Sequence, residues 1–314
     1  MAVLVSKAWV EIGGVKIDNP ARVHVVSSRR DFDYAEVELY ESGDYKGKEI
    51  KVYLQSSLWG QACVLWGKVE KALMERHLIK LKAYDWLYFT KDMQFDRAYS
   101  GEVSMDRVVR DALAGFALKT NGEFARLSNF VADNTSVRQI IEYAKHDGKD
   151  LYQIPGTREV YYGIPFGRED VREFHYKIGY NVISSNLKFK KGENVSKVVV
   201  WLNDSQFRYK SIKGEYGKGE PVKTFHFSED VSDVAQAKRR ASTKARDLYW
   251  QLNSDRYEGY IEVFGNPMVR HSDKVFIEDP ANGDRTGHYF IDKVEHEFSY
   301  GYTTRIYISA GGGL

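Results

Sequence analysis

The chain has 314 residues, of which 43% are apolar and 29% are charged, and this composition excludes a disordered protein and suffices for two or three domains. Its 46 Lys and Arg residues nearly balance 44 Asp and Glu residues, so a net charge of +2 argues against a dedicated nucleic-acid-binding protein. The single cysteine, Cys63, excludes an intrachain disulfide and a cysteine-based zinc site.

Residues 1–97 show the pattern of a series of short strands without helical periodicity. Gly13-Gly14 separates two of them and indicates a tight hairpin turn. This pattern favours a small β-barrel or sandwich. The predicted strands are Trp9–Ile12, Val15–Ile17, Arg22–Val25, Ala35–Tyr40, Lys51–Leu54, Leu65–Lys71 and Leu78–Tyr84.

Residues 98–185 change to an α+β pattern. Ser104 can cap a first helix, and a second helix follows Asn134-Thr135 and can end at Gly148. A turn at Pro155-Gly156 then joins two strands, so this segment predicts an inserted helix-helix-hairpin domain. The inward faces of the two helices are predicted to hold Val108, Val109, Ala112, Leu113, Phe116, Val137, Ile140, Ile141 and Ala144.

Residues 186–314 return to a strand pattern, interrupted by two other features. The segment Lys213–Gly219 is predicted to be a mobile polar loop, and it lacks the glycine-lysine spacing of a phosphate-binding loop. A long helix is predicted over residues 231–252, after Asp230, because small and apolar residues recur there at threes and fours. The basic residues of this helix are expected to form a solvated face. The alternative is that they face a channel. Asn282-Gly283 marks a later hairpin turn.

Two stretches of the chain match each other. The first holds KVYL, LWGKVEK and HLIKLKA, and the second holds KVFI, FIDKVEH and TTRIYIS. Lys68-Val69-Glu70 corresponds to Lys293-Val294-Glu295 at an offset of 225 residues, and Ile79–Leu81 falls on Thr304–Ile306 at the same offset. The match predicts two copies of one small β unit, with two unrelated amphipathic hairpins as the alternative.

The sequence contains no catalytic motif of the Gly-x-Ser-x-Gly or His-Glu-x-x-His type. His288, Asp292, Glu295 and His296 are candidate metal ligands, but only alternate residues of a strand share a face. We therefore assign no catalytic, cofactor-binding or metal residue and expect neither an enzyme nor a cofactor. A pair of carboxylates that cleaves glycosidic bonds stays open, because no pattern selects one.

The C-terminal segment resembles the closing signature of the baseplate hub proteins of contractile phage tails. The residues that carry this resemblance are Gly265–Pro267, Ser272–Ile277, Tyr289–Phe298 and Gly301–Thr304, with the alanine-rich helix before them and the Val137–Gly148 helix and tyrosine-rich hairpin of the insert. The family includes the late control protein D group and the N-terminal part of type VI secretion spike proteins.

The resemblance implies a mainly β fold with an α+β insert. It would comprise a β-barrel (tube) domain over residues 1–97, the inserted domain over 98–185 and a second, similar tube domain over 186–314, which includes the long helix. Three subunits would form a pseudo-sixfold ring between the hexameric tail tube and the trimeric central spike. Because the chain ends at Leu314, the spike is expected to be a separate protein.

The implied partners are two further copies of the chain, the spike, the tail tube protein and other baseplate proteins, with DNA only as cargo passing through the lumen. The implied location is the tail baseplate of the virion, after assembly in the cytoplasm of a bacterial host. No run approaches the roughly 18 apolar residues of a membrane-spanning helix, and the N-terminus lacks a signal-peptide pattern, so stable membrane insertion is not expected.

Three other functions remain open at the level of sequence. They are a tail-associated cell-wall hydrolase, a carbohydrate-binding tail protein and the hub of a non-contractile tail or of a phage-derived injection particle. The sequence does not separate contractile from non-contractile machines.

Overall fold

The computed structural model describes residues 5–41, 43–145, 149–204, 211–229, 234–253 and 256–308. The sequence predicts a helix end at Gly148 and a helix that follows Asp230, and both of these residues lie outside the described residues. Leu314 lies outside them as well. None of the helices within the described ranges is both long and apolar enough to cross a membrane.

The first module consists of seven strands whose side chains alternate between buried and exposed. Gly13 and Gly14 close its first hairpin, and both adopt the positive φ angles, 57° and 84°, that such a turn requires. The strands are β1 (Ser6–Ile12), β2 (Val15–Asp18), β3 (Arg22–Ser28), β4 (Tyr34–Leu39), β5 (Glu49–Ser56), β6 (Gly60–Glu75) and β7 (Leu78–Asp85). They lie in the order β3-β4-β7-β6-β5-β1-β2, and every neighbouring pair is antiparallel.

The α+β insert follows a short 3₁₀ helix at Trp86–Asp92. Its two α-helices bury most of the faces that the sequence predicts, together with Leu151 and Tyr162 of the following strands. The first helix ends at Ala112, earlier than predicted, so Leu113 is buried just after it and Phe116 lies beyond it and is half-buried. The elements are β8 (Gln94–Ala98), β9 (Glu102–Ser104), α1 (Met105–Ala112), β10 (Ala117–Asn121), β11 (Arg126–Ser128), β12 (Val131–Ser136), α2 (Val137–Lys145), β13 (Asp150–Gln153) and β14 (Glu159–Gly163).

The remaining elements complete a second module and a separate small unit. They are β15 (Glu173–Lys177), β16 (Val182–Ser185), β17 (Lys188–Lys190), β18 (Lys197–Asp204), β19 (Ser211–Gly217), β20 (Val222–Glu229), α3 (Val234–Asn253), β21 (Arg256–Phe264), β22 (Lys274–Glu278), β23 (Gly287–Phe298) and β24 (Tyr302–Ile308). A short 3₁₀ helix at Gly283–Arg285 joins β22 to β23, where the sequence predicts a turn.

The two modules have the same strand order. The first runs β3-β4-β7-β6-β5-β1, and the second runs β16-β21-β24-β23-β22-β15, so corresponding strands also follow the same order along the chain. One pairing differs, because β1 is antiparallel to β5 whereas β15 is parallel to β22. The fold is therefore mainly β with two similar β modules, as the sequence predicts. The division of the chain at residues 97 and 185 stays a proposal.

The described chain also divides into two compact units, and residues 187–258 form one of them. In this unit β18 lies between β19 and β20, and α3 packs on the sheet through Ala237, Ala241 and Ala245, which are fully buried. The prediction of a mobile loop at Lys213–Gly219 is wrong for residues up to Gly217, which form β19. A Cβ on Gly214 would lie 2.2 Å from the carbonyl carbon of Ala241, so this glycine permits close contact between strand and helix.

Candidate assembly interface

The middle strands of the two modules, β6 and β23, are held by the same backbone hydrogen bonds. Gly47 N donates to the Val69 carbonyl at 2.9 Å and Val69 N donates to the Lys48 carbonyl at 2.9 Å. In the second module Ser272 N donates to the Ile291 carbonyl at 2.7 Å, and Ile291 N donates to the carbonyl of the residue after Ser272 at 2.9 Å. Gly47 and Ser272 both have positive φ, at 79° and 66°. Val69 and Ile291 are therefore equivalent positions.

The ladder shifts its register immediately after each of these residues. In β6 the shift lies between Val69 and Lys71, and in β23 it lies between Ile291 and Lys293. A β-bulge of this kind bends the strand and increases its twist. Glu70 and Asp292 are thus the equivalent bulge residues of the two modules.

The structural repeat has a different register from the one that the tripeptide match indicates. Val69 corresponds to Ile291, an offset of 222 residues, whereas the sequence pairs it with Val294 at 225. For the following strands the offset of 225 is confirmed, because Ala83 pairs with Val69 and Ile308 pairs with Ile291. The Lys-Val-Glu identity is therefore a coincidence inside a real duplication.

Within the chain, the two modules are joined by pairing of β3 with β23. Six antiparallel pairs extend from Lys293 opposite Ser28 to Phe298 opposite Val23. Ladder pairing of this length satisfies the backbone of both strands along the junction. The modules therefore form one continuous sheet.

Arg29 closes one end of this junction. Its backbone N donates to the Asp292 carbonyl at 3.1 Å, and its Nε donates to Asp292 Oδ1 at 3.0 Å. The guanidinium also forms an ion pair with Asp150 of the insert and lies 4.5 Å from the ring centre of Phe166. Burial works to lower the pKa of Arg29, but the hydrogen bond and charge of Asp150 and the charge of Asp292 raise it overall, so the group stays charged. One side chain thus links both modules and the insert.

In the first module, the part of β6 that is equivalent to the junction strand β23 is an open edge. Within the described residues, Lys71–Glu75 pair with β7 on one side and with no strand on the other. These residues are equivalent to Lys293–Glu297, which pair with β3. Leu73 and Met74 are 59% and 69% exposed on this edge. Unpaired apolar edges of this kind are sites of strand addition.

The second module has an open edge at its other end. Strand β16 is the last strand of the sheet path and pairs only with β21 among the named strands. Residues Lys188–Lys190 pair with the preceding part of β21. Ile183 and Phe189, on this edge, are 47% and 55% exposed.

A buried polar cluster lies near the turn between β3 and β4. Asp33 accepts hydrogen bonds from Ser27 Oγ and Ser28 N, each at 2.9 Å. His271 Nε2 lies 4.0 Å from Asp33 Oδ1. Burial and the nearby Asp85 raise the pKa of Asp33 well above its usual value, and burial lowers the pKa of His271 well below its usual value. Asp33 and His271 are 3% and 0% exposed, so no substrate can reach them in this form, and we regard the cluster as structural.

The histidines that the sequence offers as metal ligands are not brought together. His288 is exposed, with Nδ1 2.6 Å from Glu173, whereas His296 is buried, with Nδ1 3.1 Å from both Thr304 Oγ1 and the Tyr302 hydroxyl. Across the part of the chain that the structure describes, no group of three or more acidic, histidine or cysteine side chains is placed to hold a metal. Cys63 is partly buried, and this burial raises the pKa of its thiol to about 12, as expected for an unreactive cysteine.

The fold is similar to that of solved tail proteins. A tail protein from Neisseria meningitidis matches with a TM-score of 0.70 and 14% identity, over 96% of each chain. The 43 kDa tail protein of prophage MuSo2 from Shewanella oneidensis matches with a TM-score of 0.70 and 13% identity, over 97% of this chain and 98% of that one. The chain has a phage tail-protein fold. No protein-family model and no curated protein matches its sequence.

A third structure connects this fold to secretion machines. The c3393 protein of E. coli is described as a component of the type VI secretion system with structural similarity to the phage T4 tail proteins gp27 and gp5. It matches with a TM-score of 0.62 and 7% identity, over 96% of this chain and 77% of that one. At these identities the likeness establishes the tail-protein fold.

Proposed function

We propose that the chain is a structural protein of a phage tail or of a related injection machine. In this role three copies form the baseplate hub, a pseudo-sixfold ring that joins the hexameric tail tube to the trimeric central spike. The observation that carries this proposal is the repeated strand order of the two modules. The likeness to tail proteins and to a type VI secretion component supports it.

The duplication resolves a mismatch of symmetry. A hexameric tube needs six similar binding surfaces, whereas a trimeric spike supplies three. A chain with two similar modules gives six nearly equivalent surfaces from three copies, and the inserts, present once per chain, retain the threefold symmetry. The corresponding bulges at Glu70 and Asp292 support this equivalence in detail.

The exposed face of the joined sheet is suited to line a channel through which a polyanion passes. Acidic and basic side chains pair across neighbouring strands, as in Arg22 with Glu297 at 2.7 Å, Arg305 with Glu262 at 3.3 Å and Lys82 with Glu36 at 4.0 Å. Such pairing leaves little net charge to retain DNA. We propose that this face lines the lumen, and that DNA passes through it without specific binding.

The role we propose is not enzymatic. The buried titratable cluster is closed to substrates, and the prediction of no activity is tested by clearing of a peptidoglycan suspension, where we expect no rate above buffer. The location we propose is the tail of the virion.

The oligomeric state tests the proposed hub directly. Light scattering across micromolar concentrations, with and without the cognate spike protein, is expected to give a particle of three times the 36.2 kDa of one chain. A monomer under both conditions would contradict the ring.

A further inference from the structure

We infer that neighbouring copies of the ring pair through specific strand edges. On the basis of the proposed ring, Glu70–Glu75 of one copy pairs with residues 185–191 of the next. This seam between copies would repeat the junction that β23 and β3 form inside one chain. The partner of each open edge is therefore a second copy of this chain.

The repeat identifies the partner edge. Val37 and Ile261 are equivalent, because they pair with Leu81 and Ile306, which are related by the offset of 225 residues. Val37 also pairs with Val23, and Ile261 pairs with Ser185. Ser185 is therefore the counterpart of Val23.

The same register continues beyond Ser185. Asn186 N donates to the Tyr260 carbonyl at 2.9 Å, and Lys188 pairs with Glu258. Counting along this register makes Leu187 the counterpart of Val25 and Lys191 the counterpart of Arg29. The segment 185–191 thus corresponds to the part of the first module that pairs with β23.

The charges at the end of the seam match those of the internal junction. Inside the chain, Arg29 contacts the bulge residue Asp292. The counterparts of these two residues are Lys191 and Glu70, which again carry opposite charges. Lys191 is exposed, and Glu70 accepts a hydrogen bond from the Tyr88 hydroxyl at 2.8 Å. The seam would therefore place Glu70 of one copy beside Lys191 of the next.

The exposed apolar side chains on the two edges also favour contact with a partner. Met74 is 69% exposed, whereas its counterpart His296 is 2% exposed in the internal junction. Leu73 and Phe189 are more than half exposed, and the seam would bring both edges together. Covering such residues removes apolar surface from water, which favours association of the two copies.

The arrangement of the edges is head-to-tail. Each copy offers one edge on its first module and a different edge on its second, so pairing extends from copy to copy until the rotation closes a ring. If each seam repeats the internal junction, all six joints between modules in three copies are alike. This gives a physical origin for the pseudo-sixfold ring.

A charge swap tests the seam. Glu70→Lys and Lys191→Glu should each weaken trimer formation at least tenfold, measured as the concentration of half-dissociation, and the double variant should recover most of the loss. Glu123→Lys and Lys218→Glu, reversals at other exposed positions, serve as matched controls and should leave assembly unchanged. Thermal unfolding of every variant checks that the subunit folds.

Cross-linking tests the register. In a Cys63→Ala background, Leu73→Cys with Lys188→Cys places two thiols at directly opposed positions of the inferred seam, because their counterparts Glu295 and Val26 pair inside the chain. Mild oxidation should give covalent dimers and trimers on a non-reducing gel. Leu73→Cys with Ile183→Cys, five residues out of register, should give none.

The outcomes separate the seam from the hub. A trimer that neither cross-links at these positions nor responds to the charge swap would overturn the seam and leave the ring standing. A protein that stays monomeric with its spike would overturn both. Cross-linked trimers together with recovery in the double charge variant would support the seam.

Discussion

Val25 of the first module lies directly opposite His296 of the second, and both side chains are almost completely buried. The pair joins strands from the two ends of the chain, so the continuous sheet needs both modules. Bringing together residues so distant in sequence costs chain entropy, so hydrogen bonds and ion pairs at the junction are needed to stabilise it.

Removal of the Arg29 side chain should destabilise the junction. Arg29→Ala leaves Asp150 buried without its cationic partner and removes the contact with Asp292. Breaking one partner of a buried ion pair costs about 3 kcal/mol. We expect a loss of that size in the free energy of unfolding, measured by urea denaturation.

The counterpart of Arg29 supplies the control. Lys191→Ala alters an exposed side chain and should change the free energy of unfolding of the single subunit by less than about 0.5 kcal/mol. Equal losses for the two variants would show that Arg29 has no special role within the chain.

Gly67 should be intolerant of any side chain. A Cβ at this position would lie 1.8 Å from the carbonyl oxygen of Tyr84, so β6 and β7 would have to separate. We expect Gly67→Ala to cost about 3 kcal/mol, the upper end for overpacking. The free energy of unfolding in urea measures the effect.

Gly14→Ala is the matched control for Gly67→Ala. The added methyl group meets nothing within 4 Å, and the cost comes only from the positive φ of 84°. That cost is about 1 kcal/mol. A larger loss for Gly14→Ala than for Gly67→Ala would contradict the close approach of the two strands.

Gly214 should be needed for the packing of α3 on its sheet. Gly214→Ala brings a methyl group within 2.2 Å of the Ala241 carbonyl carbon, so β19 or α3 must move. We expect a loss of about 2 kcal/mol in the free energy of unfolding. Gly283→Ala, whose methyl group would enter open space, should change it by less than about 0.5 kcal/mol. Equal effects would argue against the close contact of Gly214 with α3.

His296 should make the protein less stable in mild acid. Burial, and secondarily the charge of His24, lower the pKa of His296 to about 3, whereas the unfolded chain has the ordinary value near 6.5. Between these values only the unfolded state takes up the proton. The free energy of unfolding therefore falls as the pH drops below about 6.5, by about 1.4 kcal/mol per pH unit for this group.

A substitution isolates the contribution of His296. His296→Gln keeps a polar side chain beside Tyr302 and Thr304 but removes the titration. Urea unfolding at pH 7, 6 and 5 should show a slope reduced by about 1.4 kcal/mol per pH unit relative to the parent protein. An unchanged slope would mean that His296 is protonated in the folded state.

Local pattern predicted much of the fold. The alternation of the first strands, the glycine turn at Gly13-Gly14 and the buried faces of α1 and α2 all follow from residue types at short spacing. The strand conformation of Lys213–Gly217 could not be predicted in this way. Its glycine and lysine content is typical of a loop, and its strand conformation depends on pairing with β18 and on the contact of Gly214 with α3.

The duplication was predictable, but its register was not. The identical tripeptides at Val69 and Val294 suggested one alignment, whereas hydrogen bonds and bulges show that Val69 corresponds to Ile291. Ile291 and Val294 are both fully buried because the bulge at Asp292 lies between them, so either residue matches a buried valine in sequence. The open edge at Leu73 was missed for a related reason, since it depends on the order of strands in the sheet.

Two similar modules in each chain should make a ring with six nearly equivalent joints. Electron microscopy of the purified particle, with its spike if needed, checks this in views along the ring axis. We expect a ring with a central opening and six evenly spaced densities at low resolution, reduced to threefold symmetry at higher resolution. A particle with three widely separated lobes and no sixfold component would rule such a ring out.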